Sequence, residues 1–420
     1  MSTSRSVIVC GGGIVGLCTA HYLAKAGFAV TVIERNAEGA DSCAHGSAGY
    51  VSPSHVEPIS APGMVWQGLK WMLSSRSPFY IKPRLDPDLM RWGWLFARSC
   101  TPEHTRRAAP VLAQHCLESR KLFVALAEQT GNRFEFEAQG LFNLCKSPEK
   151  LAAYEKGLAA LANSVGVEAK ILTPQQVAAL EPGARLEIAG AVYFPIDAHI
   201  SPRKFIPVLV TLLKQKGVKF HWNTSVYGWR SEGGRVTGVS TSAGELTADE
   251  YVLATGSWAP ETIRGLGLRL PMQAGKGYSL TIEKPRFKLK KPMILSERRV
   301  AVTPMGDTLR FGGTMEIAGH VDRVRAERIE QIKAAAQDYF PDMSAADFDG
   351  IAPWFGYRPV SPDGMPYIGR FAAQANLTAA CGHAMLGITL APITGHVVAE
   401  LLSGKKPSVD LSLTNPDRFG

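Results

Sequence analysis

The sequence has no long apolar run and only seven cysteines. No stretch approaches the roughly 20 apolar residues that a membrane-spanning helix needs, and the N-terminus leads directly into a strand pattern without a signal peptide. The cysteines are scattered without a Cys-x-x-Cys pair, which fits neither a disulfide framework nor a zinc or iron–sulfur site. We therefore expect a cytoplasmic protein with reduced cysteines and no bound metal.

The sequence also lacks the motifs of a nucleic-acid-binding protein. Its formal net charge is +9, but the basic residues are dispersed, and no helix-turn-helix, zinc finger or RNP-type aromatic motif accompanies them. An anionic small substrate or an anionic membrane surface explains the surplus equally well. With 420 residues, 45% of them hydrophobic, the chain is expected to form one large domain or two interleaved ones.

The clearest motif is a glycine-rich turn that follows an apolar strand pattern beginning at Val7. Gly11 turns the chain sharply, Gly13 lets the backbone approach a pyrophosphate, and Gly16 lets the next helix pack closely against the sheet. A glycine-rich turn alone is a weak signal, because many such turns only pack backbone against backbone. The elements that follow this turn decide its interpretation.

A helix, a second strand and an acidic residue follow at the spacing of a dinucleotide-binding unit. The helix is expected over about 14–25, and the N–H groups at its start, near Ile14 and Val15, form an anion site. The strand 30–33 leads to Glu34 and Arg35, and the Glu34 carboxylate is spaced to bind a ribose hydroxyl and to repel a 2′-phosphate. The unit predicts a bound dinucleotide without distinguishing FAD from NAD.

Two further loops rich in small residues allow close approach of the backbone to a flat ring. The first occupies 41–53, where a plain surface turn is an equal alternative. The second breaks an apolar strand that begins at Tyr251. The candidate residues in these loops are Ser42, Ser47, Ala48, Gly49, Thr255 and Gly256.

The segment 62–101 combines tryptophans with basic residues. Such a segment can lie at a lipid headgroup interface, but we expect the alternative, in which the tryptophans are buried in helices that pack against a substrate cavity. The tryptophans are Trp66, Trp71, Trp92 and Trp94, and the basic residues are Lys70, Arg76, Lys82, Arg84, Arg91 and Arg98.

Apolar periodicity predicts the remaining elements. Alternation from 270 to 314 predicts a large antiparallel sheet. Thr173 and Pro174 indicate a helix start, and other helices are expected over about 109–131, 147–165, 202–217 and 323–339.

The C-terminal part contains a candidate carboxylate clamp and a second helix N-terminus. Arg358 stands between Gly356 and Pro359, where we expect a rigid turn that fixes its guanidinium. A strand, a glycine loop and a helix that contains Pro392 close the chain, so a second helix N-terminus can face the cofactor.

Several of these residues form a set: the N-terminal fingerprint, Ser47-Ala48-Gly49, Gly277-Tyr278-Ser279-Leu280-Thr281, Tyr357-Arg358-Pro359 with Ser361-Pro362-Asp363-Gly364, and Gly382-His383 with Leu386-Gly387. Together they resemble the D-amino acid oxidase superfamily of FAD enzymes, above all its bacterial D-amino acid dehydrogenases. The resemblance extends from the first strand to the final helix, including 61–63 and 70–72.

The resemblance implies noncovalently bound FAD. Gly356 stands where the sarcosine oxidase branch has a cysteine that tethers the flavin, so no covalent bond is expected. The residues expected to bind the cofactor are Gly11, Gly13, Ile14, Val15, Gly16, Glu34, Arg35, Ser42, Ser47, Ala48, Gly49, Val226, Thr255, Gly256, Gly382, Leu386, Gly387, Ile388 and Thr389.

The resemblance further implies oxidation of D-amino acids to imino acids, and then to 2-oxo acids and ammonia, by hydride transfer from Cα to flavin N5. Arg358 would bind the substrate carboxylate. Tyr278 is expected to contact that carboxylate or cover the site, and His383 to position the flavin or a water, although both could equally be core residues. His45 and His55 are expected at the surface.

Other activities stay open. Dehydrogenases of D-proline and cis-4-hydroxy-D-proline have a similar apolar lining, and the chain could also be an NAD-linked dehydrogenase or a non-catalytic electron-transfer subunit. The single dinucleotide fingerprint argues against a second site for NAD(P)H. The resemblance implies a quinone or other carrier as the acceptor, which suits a peripheral position on the cytoplasmic face of the inner membrane.

The expected fold is α/β, with a Rossmann-like FAD-binding domain interleaved with a substrate domain built on a large mixed or antiparallel sheet. The FAD-binding domain is predicted to comprise residues 1–85, 195–265 and 350–420. The substrate domain is predicted to comprise residues 86–194 and 266–349.

Overall fold

A computed structural model describes residues 4–72 and 79–420. Arg76, one of the basic residues of the tryptophan-rich segment, lies outside the described residues. The helices are α1 Ile14–Lys25, α2 Met64–Met72, α3 Pro87–Ser99, α4 Pro102–Thr130, α5 Pro148–Tyr154, α6 Ala160–Ser164, α7 Pro174–Leu180, α8 Pro202–Gln215, α9 Ala259–Ile263, α10 Ala326–Tyr339 and α11 Gly387–Leu402.

The strands of the described residues belong to four sheets. They are β1 Ser6–Cys10, β2 Ala29–Ile33, β3 Tyr50–Val51, β4 Phe79–Ile81, β5 Leu141–Cys145, β6 Lys170–Leu172, β7 Gly190–Phe194, β8 Ala198–His199, β9 Lys219–His221, β10 Val226–Glu232, β11 Arg235–Thr241, β12 Gly244–Leu246, β13 Glu250–Leu253, β14 Gln273–Ile282, β15 Met293–Leu295, β16 Val300–Met305, β17 Thr308–Ile317, β18 Trp354–Val360, β19 Tyr367–Phe371 and β20 Gln374–Cys381.

The first sheet has the strand order β19-β20-β13-β1-β2-β9. Its pairs are parallel except β19 with β20. The chain runs from β1 to β2 on one side and later returns to β13 on the other side of β1. A crevice therefore opens at the carboxyl end of β1, the position where open α/β sheets bind their ligands.

Four helices bury a common core against this sheet. Helices α1 and α11 cross closely, since a Cβ on Gly395 would lie 2.5 Å from the Cys18 carbonyl oxygen. Phe205 of α8 and Phe123 of α4 add buried aromatic rings to the same cluster, with centroids 5.4 Å apart. This core fixes the first turns of α1 and α11 relative to the crevice.

The largest sheet has the order β18-β14-β17-β16-β15-β5-β7-β6, with β4 also paired to β17. The pairs β14–β17 and β14–β18 are antiparallel, whereas β15–β5 and β17–β4 are parallel, so the sheet is mixed. Helix α10 covers one face with Ile332 and Tyr339. The predicted α/β class and mixed second sheet are confirmed.

Three predicted local features differ from the structure. Helix α4 was predicted to begin at about residue 109, but it begins at Pro102, with Thr101 as its cap, and continues through Pro110. Helix α10 begins at Ala326, three residues later than predicted. Arg358 lies in edge strand β18, where Pro359 is tolerated because one side of an edge strand needs no N–H donor, so the predicted rigid turn is wrong.

The predicted domain ranges stay a prediction, and described contacts cross their boundaries. Helix α4 falls within the range assigned to the substrate domain, yet its Cys116 and Leu126 join the core around the first sheet. Strands β4 and β18 fall within the range assigned to the FAD-binding domain, yet both pair in the large sheet.

Candidate active site

The glycine-rich turn has the geometry predicted for it. Gly11 has φ of +113°, and a Cβ there would overlap the Ala254 carbonyl oxygen. A Cβ on Gly16 would overlap the Gly11 carbonyl oxygen. Gly13 differs, because nothing lies within 4 Å of the position that a Cβ would take, and its backbone borders open space at the start of α1.

Glu34 lies directly beside this turn. Its carboxylate accepts hydrogen bonds from Gly12 N at 2.7 Å and from Asn36 N at 3.0 Å. The Thr224 N–H donates to the Glu34 carbonyl, which brings the segment before Val226 to the same end of the sheet. Glu34 and Val226 are therefore together, as expected for an adenosine site. Arg35 is exposed, and its guanidinium lies 3.6 Å from the Trp258 ring centroid.

The second strand break is also at the turn. Ala254 N donates to Cys10 O, and Thr255 follows beside Gly11. Gly256 has φ of +58° and begins a short 3-10 helix. The structure thus brings Thr255 and Gly256 to the carboxyl ends of β1 and β13.

The loop 42–49 is closed by its own side chains. Ser42 N donates to His45 Nδ1 at 2.8 Å, and Ser47 Oγ donates to Ala44 O at 2.8 Å. His45 is buried by these contacts, so its predicted surface position is wrong, and burial lowers its pKa. His55 is half-buried beside the Tyr50 ring, and burial lowers its pKa to about 4.

Arg310 holds this loop from the large sheet, and no sequence motif pointed to it. Its side chain is 2% exposed, and its Nη1 donates to His45 O at 2.8 Å and to Ser47 O at 2.9 Å, while Nε donates to Thr281 Oγ1. Burial lowers the Arg310 pKa to about 10, so it is charged at neutral pH. Only the tertiary structure joins residues so far apart in sequence.

Replacing Arg310 with methionine is expected to loosen loop 42–49. Two buried carbonyls would lose their donor, at about 1–3 kcal/mol for each unsatisfied group. We expect a lower free energy of unfolding and weaker cofactor binding, measured by urea unfolding and FAD titration. Arg298→Met, at an exposed arginine, is the control. Unchanged cofactor affinity in Arg310→Met would contradict a positioning role.

The N-terminus of α11 contacts the residues that directly follow this loop. Thr389 Oγ1 donates to Tyr50 O at 2.9 Å and accepts from Ser52 N at 3.3 Å. Gly382 has φ of +79° at the end of β20. Leu386 precedes the first helical residue, Gly387, and Ile388 is buried. The start of α11 therefore lies beside the segment that directly follows Gly49.

His383 lies between α11 and the Arg358 strand. Its Nε2 is 2.8 Å from Thr394 Oγ1, and its backbone bridges to Val360. Burial lowers its pKa to about 3, so it is neutral at physiological pH. Among the described residues its buried Nδ1 has no hydrogen-bond partner. The neutral ring can orient a group but cannot supply a positive charge.

Arg358 is a half-buried cation without a carboxylate partner among residues 4–72 and 79–420. Its Nη1 donates to Thr314 O at 3.1 Å, and its guanidinium lies over Gly277, where any Cβ would overlap it. Burial lowers its pKa, and the nearby Cys43 acts in the opposite direction. An anionic ligand would supply the missing charge partner.

The structure does not bring Tyr278 to Arg358. Neighbouring residues of a strand point to opposite faces, and Gly277 shares its face with Arg358. Tyr278 is 1% exposed on the other face, packed near α10, and its hydroxyl donates to Glu316 Oε2 at 3.0 Å. Its predicted contact with the substrate is therefore replaced by a core role.

Trp354 was missed at the level of sequence and shares the Arg358 face. A Cβ on Gly46 or Gly356 would overlap its indole ring, so both glycines make room for it. Trp354 and Arg358 are four residues apart in β18, and residues at even spacing in a strand share a face. The indole therefore stands between the Arg358 strand and loop 42–49.

Asp197 is buried beside Ser54, and its carboxylate is expected to make the stability of the protein depend on pH. Its carboxylate accepts from Ser54 N and Oγ, yet burial raises its pKa from 3.8 to about 7. The folded state thus binds the proton more tightly than the unfolded state, so stability falls as pH rises from about 4 to 7, by up to ~1.4 kcal/mol per pH unit.

Asp197→Asn is expected to reduce the stability difference between pH 5 and pH 8 by roughly 2 kcal/mol. Urea unfolding at both pH values measures it. Asp349→Asn, at an exposed carboxylate, should keep the wild-type difference. Equal pH dependence in Asp197→Asn and wild type would contradict the raised pKa.

The site as a whole fits FAD. Among the described residues, no side chain caps α1 or α11, so the N–H groups of both first turns are available to an anion or a polar ring edge. The Glu34 carboxylate lies beside the glycine-rich turn, and Gly13 borders open space. A dinucleotide crevice that faces an arginine-bearing sheet defines a flavin-type oxidoreductase.

The chain belongs to the DAO family of FAD dependent oxidoreductases, whose sequence model matches residues 6–401. It is 35% identical to a D-amino acid dehydrogenase of Bradyrhizobium diazoefficiens over 425 residues, 98% of each chain. It is also 35% identical to one of Agrobacterium fabrum over 415 residues, 96% of this chain and 97% of the relative. The predicted family, enzyme class and cofactor are confirmed.

Solved structures show the same fold. Glycine oxidase from Geobacillus kaustophilus superposes with a TM-score of 0.78 at 23% identity, over 99% of this chain and 100% of the other. L-proline dehydrogenase from P. horikoshii gives 0.72 at 22% identity, over 100% and 98%. At these identities the likeness concerns the fold alone.

Proposed function

We propose that the protein oxidises D-amino acids to imino acids, which hydrolyse to 2-oxo acids and ammonia, and passes the electrons to a quinone or another carrier. The observation that carries the proposal is Arg358, a half-buried guanidinium without a carboxylate partner in the described part of the chain. The names of the curated relatives favour D-amino acids over the cyclic imino acids considered above.

The chain supplies binding and orientation in this proposal. Arg358 binds the substrate carboxylate, and the Thr314 carbonyl holds its Nη1 in place. FAD, when bound, accepts the hydride that leaves Cα. The uncapped N-terminus of α11 would stabilise negative charge that develops on the bound flavin.

No residue needs to act as a strong base if the amine binds in its neutral form. Neutral His383 then orients the cofactor or a water through Nδ1. Trp354 restricts the space beside Arg358 and so limits the size of the substrate side chain.

The electron acceptor and the cellular location belong to the same proposal. None of the helices among residues 4–72 and 79–420 is long and apolar enough to span a bilayer. A carrier or quinone would be reached from a peripheral position on the cytoplasmic face of the inner membrane. Only one dinucleotide fingerprint occurs in the sequence, which supports an acceptor other than NAD(P).

Anaerobic bleaching of the flavin spectrum tests the proposal. The panel comprises D-amino acids, their L-enantiomers, D-proline, cis-4-hydroxy-D-proline and sarcosine. Bleaching by primary D-amino acids is the expected result, and it also argues against a non-catalytic subunit because no partner is present. Preference for the cyclic substrates would make the enzyme an imino acid dehydrogenase, and bleaching by none of them would refute the substrate class.

A further inference from the structure

The outer surface of α2 and α3 exposes an unusual number of apolar side chains. Ten large hydrophobic side chains are exposed among the described residues, and six of them fall between residues 65 and 94. Scattered apolar side chains are normal on a protein surface, but a concentration of them marks an interaction site. We call these six the α2–α3 surface: Val65, Trp66, Leu69, Leu85, Met90 and Trp94.

Trp66 and Trp94 do not follow the expectation that the tryptophans of this segment are buried. Their exposed fractions are 65% and 57%, whereas Trp92 is 2% exposed and Trp71 is half-buried. Helix α3 packs its inner face through Leu89, Trp92 and Leu95. The outer residues Met90 and Trp94 lie one turn apart and contribute nothing to that packing, so the fold itself does not require them to be apolar.

The two helices form neighbouring parts of one surface. The Cys100 thiol, directly after α3, lies near the Val65 backbone at the start of α2. Both helices also pack on Phe79, which joins Trp92 in one buried cluster and contacts the Trp71 ring at 6.1 Å. The two helices therefore lie next to each other around Phe79.

The charges on this surface are predominantly positive. Lys70 Nζ lies 5.5 Å from the Trp66 ring centroid, and the Arg98 guanidinium carbon lies 4.8 Å from that of Trp94. The two acidic residues within 62–101 are each paired with an arginine, Asp86 with Arg84 at 2.8 Å and Asp88 with Arg264 at 2.9 Å.

Three exposed cations of the same segment have no carboxylate partner within residues 4–72 and 79–420. They are Lys70, Lys82 and Arg98.

We propose that the α2–α3 surface docks on an anionic lipid bilayer, with Trp66 and Trp94 at the headgroup level and the unpaired cations on lipid phosphates. Tryptophan beside lysine or arginine suits a boundary that is apolar on one side and anionic on the other. A protein partner would need acidic residues placed opposite each of these cations. An anionic bilayer offers negative charge over its whole surface, without a fixed pattern.

Docking at this surface places the substrate sheet beside the membrane. Trp92 Nε1 on the inner side of α3 donates to Val360 O at 2.9 Å, two residues after Arg358. A lipid-soluble acceptor would then reach the enzyme from the bilayer. Access of a lipid-soluble acceptor rests on the proposed function. The docking does not, because vesicle binding is measured without any enzymatic turnover.

Flotation of the FAD-loaded protein with vesicles tests the docking. The probes are phosphatidylcholine vesicles and vesicles that also contain phosphatidylglycerol, at low and high salt. We expect binding to the anionic vesicles, weakening with salt, and a decrease of at least tenfold in partitioning for Trp66→Ser/Leu69→Ser/Trp94→Ser. The charge variant Lys70→Gln/Lys82→Gln/Arg98→Gln should lose the preference for anionic vesicles.

Matched changes elsewhere are the controls. Tyr227→Ser/Leu180→Ser removes two exposed apolar side chains, and Lys25→Gln/Lys405→Gln/Lys406→Gln removes three exposed cations. Both should bind vesicles as wild type, and flavin bleaching should be normal in every variant. Equal vesicle binding by the Ser variant and wild type would overturn the proposal, as would a dimer in solution that only the Ser variant dissociates.

Discussion

Arg358→Ala is expected to lower kcat/KM for a D-amino acid by about 30- to 4,000-fold while leaving FAD bound. Removal of one partner of a buried charge-assisted pair costs about 2–5 kcal/mol, and about 1.4 kcal/mol corresponds to a factor of ten. The Arg358 side chain contacts the Thr314 carbonyl and lies over Gly277, both in the large sheet, so its loss should not disturb the dinucleotide crevice. Steady-state turnover with a soluble dye and the flavin-to-protein ratio measure the two effects.

Arg358→Lys is the informative companion variant. Lysine keeps the positive charge but cannot form the two parallel hydrogen bonds of a guanidinium with a carboxylate. Its kcat/KM should lie between those of Arg358→Ala and wild type. Near-normal turnover in Arg358→Ala would refute the carboxylate role, and loss of FAD would show that Arg358 acts on the fold instead.

Local patterns in the sequence were sufficient for the dinucleotide crevice. The steric demands on Gly11 and Gly16 arise from contacts within one strand-turn-helix unit and the strand beside it. Glu34 follows the next strand at a fixed distance along the chain, so its position beside Gly12 is set by the same unit. These residues could be predicted because the constraint on each lies close to it in sequence.

The substrate side of the site depends on contacts between distant segments. Arg310 reaches His45 and Ser47 across more than 260 residues, and no local motif marks it. The face to which Tyr278 points depends on the register of β14 against β18, which a sequence pattern does not fix.

The exposure of Trp66 and Trp94 was missed for a related reason. Helical spacing tells which residues share a face, but not whether another element covers that face. An apolar face that serves an interface therefore has the same sequence pattern as one that serves the core.

Gly13→Ala and Gly16→Ala are expected to fail in different ways. A Cβ on Gly16 would overlap the Gly11 carbonyl oxygen, and backbone cannot move aside as a side chain can, so we expect a loss of about 1–3 kcal/mol in the free energy of unfolding of the apoprotein. Gly13 has ordinary backbone angles, φ −70° and ψ 174°, and open space at its Cβ position. The apoprotein should therefore tolerate Gly13→Ala.

The cost of Gly13→Ala should appear only when FAD binds. A methyl group at this position would stand where the backbone approaches the pyrophosphate, so we expect the Kd for FAD to rise at least about tenfold, or ~1.4 kcal/mol. Urea unfolding of the apoproteins and FAD titration separate the two effects, and Gly157→Ala, at another open glycine, should bind FAD normally. If Gly13→Ala bound FAD with wild-type affinity, the pyrophosphate would not lie against Gly13.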